Sequence, residues 1–199
     1  MFHLKMKIFL DVGSHIGQTL EEVVDPYHSF DRIVSFEPSK VCFESLKTTF
    51  SNSTNIVFNN FGLSNETKIC NLYDTGTDGA SVYADKIDLR ERNNIEQIHL
   101  VEAAEWIRNN TEPTDVIYMK LNCEGSECDI IENLLEKGVY DRIAHIMIDF
   151  DVRKIPSQHH RQEVILNLLK DKKNFHECSQ VMIGNTHQNR IRNWLRVCG

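Results

Sequence analysis

The sequence is short of most features that mark a specialised architecture. Its six cysteines (Cys42, Cys70, Cys123, Cys128, Cys178, Cys198) include no CxxC pair and no spacing of the kind that staples small secreted domains. Nothing ahead of the first apolar run reads as a signal peptide, so reduced thiols in a cytoplasmic protein are expected. On that reading the N-x-S/T triplets at Asn52, Asn65 and Asn109 are accidental. No apolar run approaches the roughly 20 residues that span a bilayer, which excludes a transmembrane helix, and no membrane partner is expected. Positive charge is also scarce: 22 Lys and Arg against 29 Asp and Glu leave a net charge of -7. Such a surface is not built to neutralise phosphates, so no nucleic-acid partner is expected, and Arg190, Arg192 and Arg196 read as a solvated charged strand. With four prolines, nine glycines and no linker, repeat or low-complexity tract, the 199 residues are expected to form one domain, 1–199. The first strand begins close enough to Met1 that the chain is also compatible with being one module of a longer enzyme. Oligomeric state has no signature.

What is present is an alternation of short β-branched or aromatic runs with amphipathic stretches, the pattern of βα units and a doubly wound, mostly parallel sheet. Strands are expected at Lys7 to Val12, Arg32 to Phe36, Ile56 to Phe61, Asp115 to Leu121 and His145 to Phe150. Helical spacing follows the first strand (Ile16, Leu20, Val23, Val24) and the second (Val41, Phe43, Leu46, Phe50). Further helices are expected over Ala103 to Asn110, after Glu127 with a stop at Gly138, and over Arg161 to Lys170. The alternating runs between Ser64 and Leu100, such as Ile69 to Tyr73 and Ala80 to Ala84, predict an antiparallel excursion. Two late runs near Val181 and Trp194 predict a C-terminal antiparallel hairpin.

In such a sheet ligands sit beyond the carboxyl ends of the strands, where strand order reverses, so the residues just after each strand are the ones to inspect. The first strand ends in Asp11-Val12-Gly13-Ser14-His15-Ile16-Gly17-Gln18. Glycine lets the backbone approach a ligand there, and the helix expected to follow offers unpaired NH groups to an anion. Its G-x-x-x-G spacing, with Ser14 and His15 where a dinucleotide turn has its second glycine, disfavours pyrophosphate. S-adenosylmethionine has no phosphate and suits this turn, its ammonium and carboxylate matched by Asp11 and the turn amides. Glu37 closes the second strand about twenty residues on, where a carboxylate accepts hydrogen bonds from both hydroxyls of a ribose. Lys120 lies in an otherwise apolar strand and needs a carboxylate partner: Asp11, Asp149 or Glu124. Asp149 and Asp151 flank Phe150 and should point the same way, to the cleft rim. One of them could be a general base, both could hold a divalent metal, or one could neutralise Lys120 or Arg153.

Three segments, Phe9 to Gly17, Ser35-Phe36-Glu37-Pro38-Ser39 and Met119-Lys120-Leu121-Asn122-Cys123-Glu124-Gly125-Ser126-Glu127, together resemble the FkbM methyltransferase family over about three quarters of the chain. The third is the most specific. The resemblance implies a Rossmann-like class I methyltransferase sheet, cofactor contacts from Asp11, Gly13, Gly17 and Glu37, and O-methylation of a hydroxyl on a sugar or polyketide-like metabolite. His15, Gln18, Pro38, Ser39, Gly62 and Asn122, at the strand tips, complete the expected cofactor contacts. Asn122 stands where the family usually has aspartate, so any negative charge needed there falls to Glu124 or Asp149. Past the fifth strand the resemblance thins, and the Arg153 to His160 segment is either a substrate-facing loop or solvent-exposed surface.

The reaction expected is methyl transfer to a small-molecule or glycan hydroxyl, with Asp149 or Glu124 taking the proton and Lys120 orienting the carboxylate or the hydroxyl. A nicotinamide oxidoreductase would share the strand, turn and acidic residue but want the missing glycine. A module that binds the cofactor without turnover is the other alternative.

Overall fold

The computed structural model describes residues 4 to 198. In chain order its elements are β1 (Lys7–Val12), α1 (Leu20–Val23), β2 (Arg32–Phe36), α2 (Lys40–Thr49), β3 (Ile56–Asn59), β4 (Gly62–Ser64), β5 (Lys68–Tyr73) and β6 (Ile95–Glu102). There follow α3 (Ala103–Asn110), β7 (Val116–Leu121), α4 (Glu127–Glu136), β8 (Ile143–Ile148), α5 (Arg161–Leu169), β9 (Phe175–Glu177), α6 (Cys178–Val181) and α7 (His187–Cys198).

Six strands form one parallel sheet in the order β3-β2-β1-β7-β8-β9. The central strands β1 and β7 are buried almost from end to end, as expected of strands covered on both faces, and their near-continuous apolar sequences follow from that. One face carries α3, α4 and α5 through Trp106, Ile107, Ile131, Leu134 and Ile165. The other carries α1, α2 and α7 through Leu20, Leu46, Ile191 and Trp194. Helices on both faces make the sheet doubly wound. Strand order reverses between β1 and β7, so the crevice opens beyond Val12 and Leu121.

The excursion is a second sheet, β4-β6-β5, in which β5 and β6 pair antiparallel. Its Ala80 to Ala84 stretch contributes only an isolated bridge, Tyr73 to Ser81. Helix α4 stops as expected. Gly138, at φ +66°, donates to Leu135 O while Val139 donates to Leu134 O, and Val139 joins Leu134 in the core.

Three expectations are corrected. The C-terminal antiparallel hairpin is absent among the described residues: Val181 ends α6, Trp194 and all three arginines lie in α7, and β9 joins β8 in parallel. Ile191, Trp194, Leu195 and Cys198 recur at helical spacing and pack under the sheet, whereas period two would send Ile191 and Trp194 to opposite faces. Second, the helix after β1 starts only at Leu20, and Ile16 is exposed. Gly13, His15 and Gly17 all take positive φ (79°, 49° and 100°), which a right-handed helix cannot accommodate. Third, β3 ends at Asn59, and Gly62 opens β4 instead of following the strand as a turn.

Candidate functional site

The turn after β1 is shaped by its glycines. A Cβ on Gly13 would lie 1.8 Å from the carbonyl oxygen of Asn122, so only glycine lets the tips of β1 and β7 meet. Gly17 serves packing: its Cβ would stand 2.4 Å from the Phe50 ring, so it seats the turn on α2. Between them the His15 N–H donates to Glu37 Oε2 at 2.7 Å, and the Ser39 N–H donates to Oε1 at 2.9 Å. Glu37 is buried without a cationic partner in contact, and burial pushes its carboxyl up to about 7 against the pull of those two amides.

A cleft of about 320 Å³ opens at this point, within the usual range of roughly 300 to 1,000 Å³ for ligand pockets. Gly13, His15, Gln18, Glu37, Pro38 and Gly62 line one side, and Lys120, Asn122 and Glu124 line the other. The second sheet and its loop supply an apolar wall: Leu72, Ala80, Val82, Ile98 and Leu100. Thr77 and Asp78 add polar groups from the same loop, and His187 reaches in from α7, 3.1 Å from the Thr19 hydroxyl.

At the β7 tip, Lys120 pairs with the fully buried Asp11 at 3.1 Å and donates to Gly13 O at 2.8 Å. The lysine therefore ties the two central strands together, and Asp11 is its partner among the three candidates. Neither Asp11 oxygen accepts a hydrogen bond beyond that pairing, and the buried Oδ1 of Asn122 has no partner. Glu127 is wholly buried and accepts the N–H groups of Cys123 and Gly125, each at 3.1 Å, so it holds the loop instead of facing the cleft.

Glu124 sits differently. Its backbone is left-handed, at φ +55°, and its carboxylate lies 2.8 Å from the Lys86 ammonium, which has no solvent exposure. Lys86 also meets Asp88 at 2.9 Å and Gly79 O at 2.7 Å, while Lys154 bridges Asp151 (2.9 Å), Asp88 (3.3 Å) and Glu124 (3.9 Å). Burial and the neighbouring charge of Asp151 raise the Glu124 carboxyl to about 7, although Lys86 pulls it down.

Most of the expected site residues meet in this cleft; Asp11, Gly17, Ser39 and Asp149 do not line it. Asp11 stands behind Lys120, and Ser39 directs its hydroxyl to Thr75 at 3.0 Å. Asp149, expected at the rim, is half-buried and lies 3.7 Å from Arg153, which also contacts Asp151 at 3.0 Å. The two aspartates share an arginine. Extended geometry ends at Ile148 and the chain turns tightly at Val152–Lys154, so alternation no longer carries their side chains to the cleft. His159 and His160 are exposed. His187, Thr77, Asp78 and the apolar wall carry no local sequence signal, because they reach the cleft only through long-range packing. The helical spacing around Trp194 was the one signal that could have brought α7, and with it His187, to the sheet.

A family description, Methyltransferase FkbM domain, matches residues 11–199. The crystal structure of Methyltransferase FkbM from Methylobacillus flagellatus KT shares 14% identity and superposes with a TM-score of 0.53, covering 86% of this chain and 40% of that one. The present chain thus spans about two fifths of that protein's length. A fibrillarin/Nop5p complex structure shows 20% identity and a TM-score of 0.43 over 85% of this chain and 63% of that one. None of the curated proteins matches the chain. No helix among the described residues is long and apolar enough to cross a membrane.

Proposed function

Since the chain belongs to the FkbM methyltransferase family, we propose that it uses S-adenosylmethionine to O-methylate a hydroxyl, that of a sugar or glycan, in the cleft between the β1 and β7 tips. The observation that carries this reading is Glu37: a buried carboxyl at the end of β2, lining the cleft, each oxygen held by one backbone amide and by no cation. Such a group has lone pairs left for two neutral donors at the spacing of a ribose diol.

The remaining residues fit the same cofactor. The unpartnered Asn122 Oδ1 is a buried acceptor at the cleft wall, suited to an ammonium or amine. Gly13 keeps the backbone close, and the apolar wall of Leu72, Ile98 and Leu100 offers a surface for a planar base. When bound, S-adenosylmethionine supplies an electrophilic methyl group on a sulfonium. Glu124 would take the proton from the acceptor hydroxyl while transfer of the methyl group to that oxygen releases S-adenosylhomocysteine; of the two cleft-lining carboxyls raised to about 7 it is the one held by cations, whereas Glu37 is committed to backbone amides. Lys86 keeps Glu124 in place and partly ionised, and Lys120 acts as a positioning residue by fixing Asp11 and the Gly13 carbonyl. We place no divalent metal at Asp149 and Asp151, because Arg153 already supplies their countercharge.

Thr77, Asp78 and His187 give the cleft hydroxyl-binding groups suited to a neutral polyol. The six cysteines are all free thiols, in keeping with the cytoplasmic setting we infer, and we read residues 1–199 as one methyltransferase domain. Calorimetric titration tests the core of this reading: S-adenosylhomocysteine should bind and NAD should not. Binding of NAD alone would overturn it. Transfer of label from methyl-labelled cofactor to a panel of sugars, with no transfer to amines, tests the O-specificity.

A further inference from the structure

On the sheet edge, none of it lining the cleft, His145 on β8, His176 on β9 and Cys198 near the end of α7 converge. Each offers one ligand-capable atom, and these three atoms lie within 4.8 Å of one another. Sequence spacing gives no hint of this, since the residues are 31 and 22 positions apart.

We infer that these three side chains form a binding site for a borderline-soft divalent metal, zinc being the natural occupant, which ties α7 to the edge of the sheet. Cys198 Sγ stands 3.7 Å from His176 Nε2. Zinc bonds of about 2.05 Å to nitrogen and about 2.3 Å to sulfur, at tetrahedral angles, place those two atoms about 3.6 Å apart. The ligand atom of His145 lies within 4.8 Å of both, close enough for a small ring movement to complete the set. Two imidazoles and a thiolate select zinc over magnesium or calcium, which want oxygen.

A second observation points the same way. Nδ1 of His145 is buried and has no hydrogen-bond partner, although buried imidazole nitrogens are ordinarily satisfied. A bare Cys198 to His176 hydrogen bond would leave that defect untouched. Two aromatic rings flank the half-buried site: the Tyr118 ring lies 4.8 Å from that of His145, and the Trp194 ring lies 6.5 Å from that of His176. Burial keeps both imidazoles neutral, the form that binds metal, and keeps the Cys198 thiol protonated until a dication displaces its proton. The Lys7 ammonium acts on His145 and Cys198 from β1 and favours the thiolate. Three protein ligands leave a fourth position for water.

The test uses tag-free full-length protein, stripped by dialysis against chelator and titrated with zinc and, separately, cobalt. One equivalent of zinc should bind and raise the melting temperature by several degrees, as a ligand of the folded state must. Cobalt should give an intense sulfur-to-metal charge-transfer band in the near ultraviolet. Cys198→Ser should abolish that band and weaken zinc binding at least about tenfold, and His176→Gln should weaken it similarly while leaving the band in place. Circular dichroism checks that each variant folds; if one does not, the wild-type cobalt spectrum decides alone. Zinc that leaves the melting temperature unchanged, or a cobalt spectrum with no thiolate band, would overturn the proposal.

Discussion

The tips of β2 and β7 each place a glutamate in the same cleft, Glu37 buried and Glu124 half-buried, with its pKa raised to about 7, yet they hold it by opposite means. Glu37 is gripped by two backbone amides and has no cation in contact. Glu124 lies in a web of two lysines and two aspartates. Amides fix a carboxylate in space and leave it ready for neutral donors, which is what recognising hydroxyls requires. A charge web sets how readily a carboxylate takes up and releases a proton, which is what a base requires. On the proposed function one end of the cleft binds and the other does the chemistry, and substitutions should separate them.

The largest expected effect is on turnover. Glu124→Gln should lower kcat by about 10²- to 10⁴-fold, the range usual for losing a general base, while S-adenosylhomocysteine affinity changes less than about threefold. The wild-type rate should climb as pH rises through about 7, because the base works only when ionised, and the residual rate of the variant should lose that dependence. A variant that keeps full turnover would remove Glu124 from the chemistry.

Glu37→Gln should act on affinity first. Losing charge-assisted bonds to two hydroxyls, each worth about 1.5 to 3 kcal/mol before compensation, should weaken S-adenosylhomocysteine by at least about a hundredfold in calorimetry. The same substitution should also move stability, in the other direction. The folded-state pKa of Glu37 is raised, so the folded chain keeps a proton that the unfolded chain releases between about pH 4.5 and 7, and stability falls over that window as pH rises. Replacing the acid removes this loss. Without ligand, Glu37→Gln should therefore unfold later than wild type at pH 8, by up to about 3 kcal/mol, and the advantage should vanish by pH 4.5. If it is less stable at pH 8 as well, the carboxylate is structural and the division between the two ends fails.

Smaller in size but sharper in meaning is Lys86→Met. It deletes the fully buried cation beside Glu124, so the base should titrate higher and the rate profile should move to higher pH by about one unit, costing about fivefold near pH 7 and much less at pH 9. A lysine that only packed the loop would lower the rate equally at all pH values. Circular dichroism guards against the variant's failing to fold.

The two ends also differ in how far the sequence reveals them. Glu37 is legible because everything that defines it is local: a β-branched run, a tip, then Pro38 and Ser39 to turn the chain. The Lys120 to Asp11 pair is nearly as legible, since two charges in apolar central strands must find each other and lie at the same level of the sheet. Lys86 could not be read. It lies between Tyr73 and Ile95 in a stretch of no regular period, and its burial depends on Asp88, Glu124 and Gly79 meeting around it. The apolar wall is hidden for a similar reason, because β5 shows its alternation plainly but not that its inward side faces a ligand cleft. In the C-terminal helix the alternating arginines suggest a solvated strand, whereas Ile191, Trp194, Leu195 and Cys198 keep helical spacing.

Asp149 gives the smallest expected effect and so the finest test of the contrast. As an acidic residue at a strand tip it looks by sequence as fit for catalysis as Glu124. In the fold it does not line the cleft, its side chain is about a third exposed (34%), and it lies 3.7 Å from an Arg153 that also serves Asp151. Exposed pairs of this kind contribute little, because solvent screens them and ordering two side chains offsets the attraction. Asp149→Asn should accordingly change kcat by less than about twofold and leave both the rate profile and cofactor affinity where they were. Should Asp149→Asn abolish turnover while Glu124→Gln remains active, the base would belong at the β8 tip, and the charge web around Glu124 would be scaffolding for the Ser81 to Glu124 loop contact.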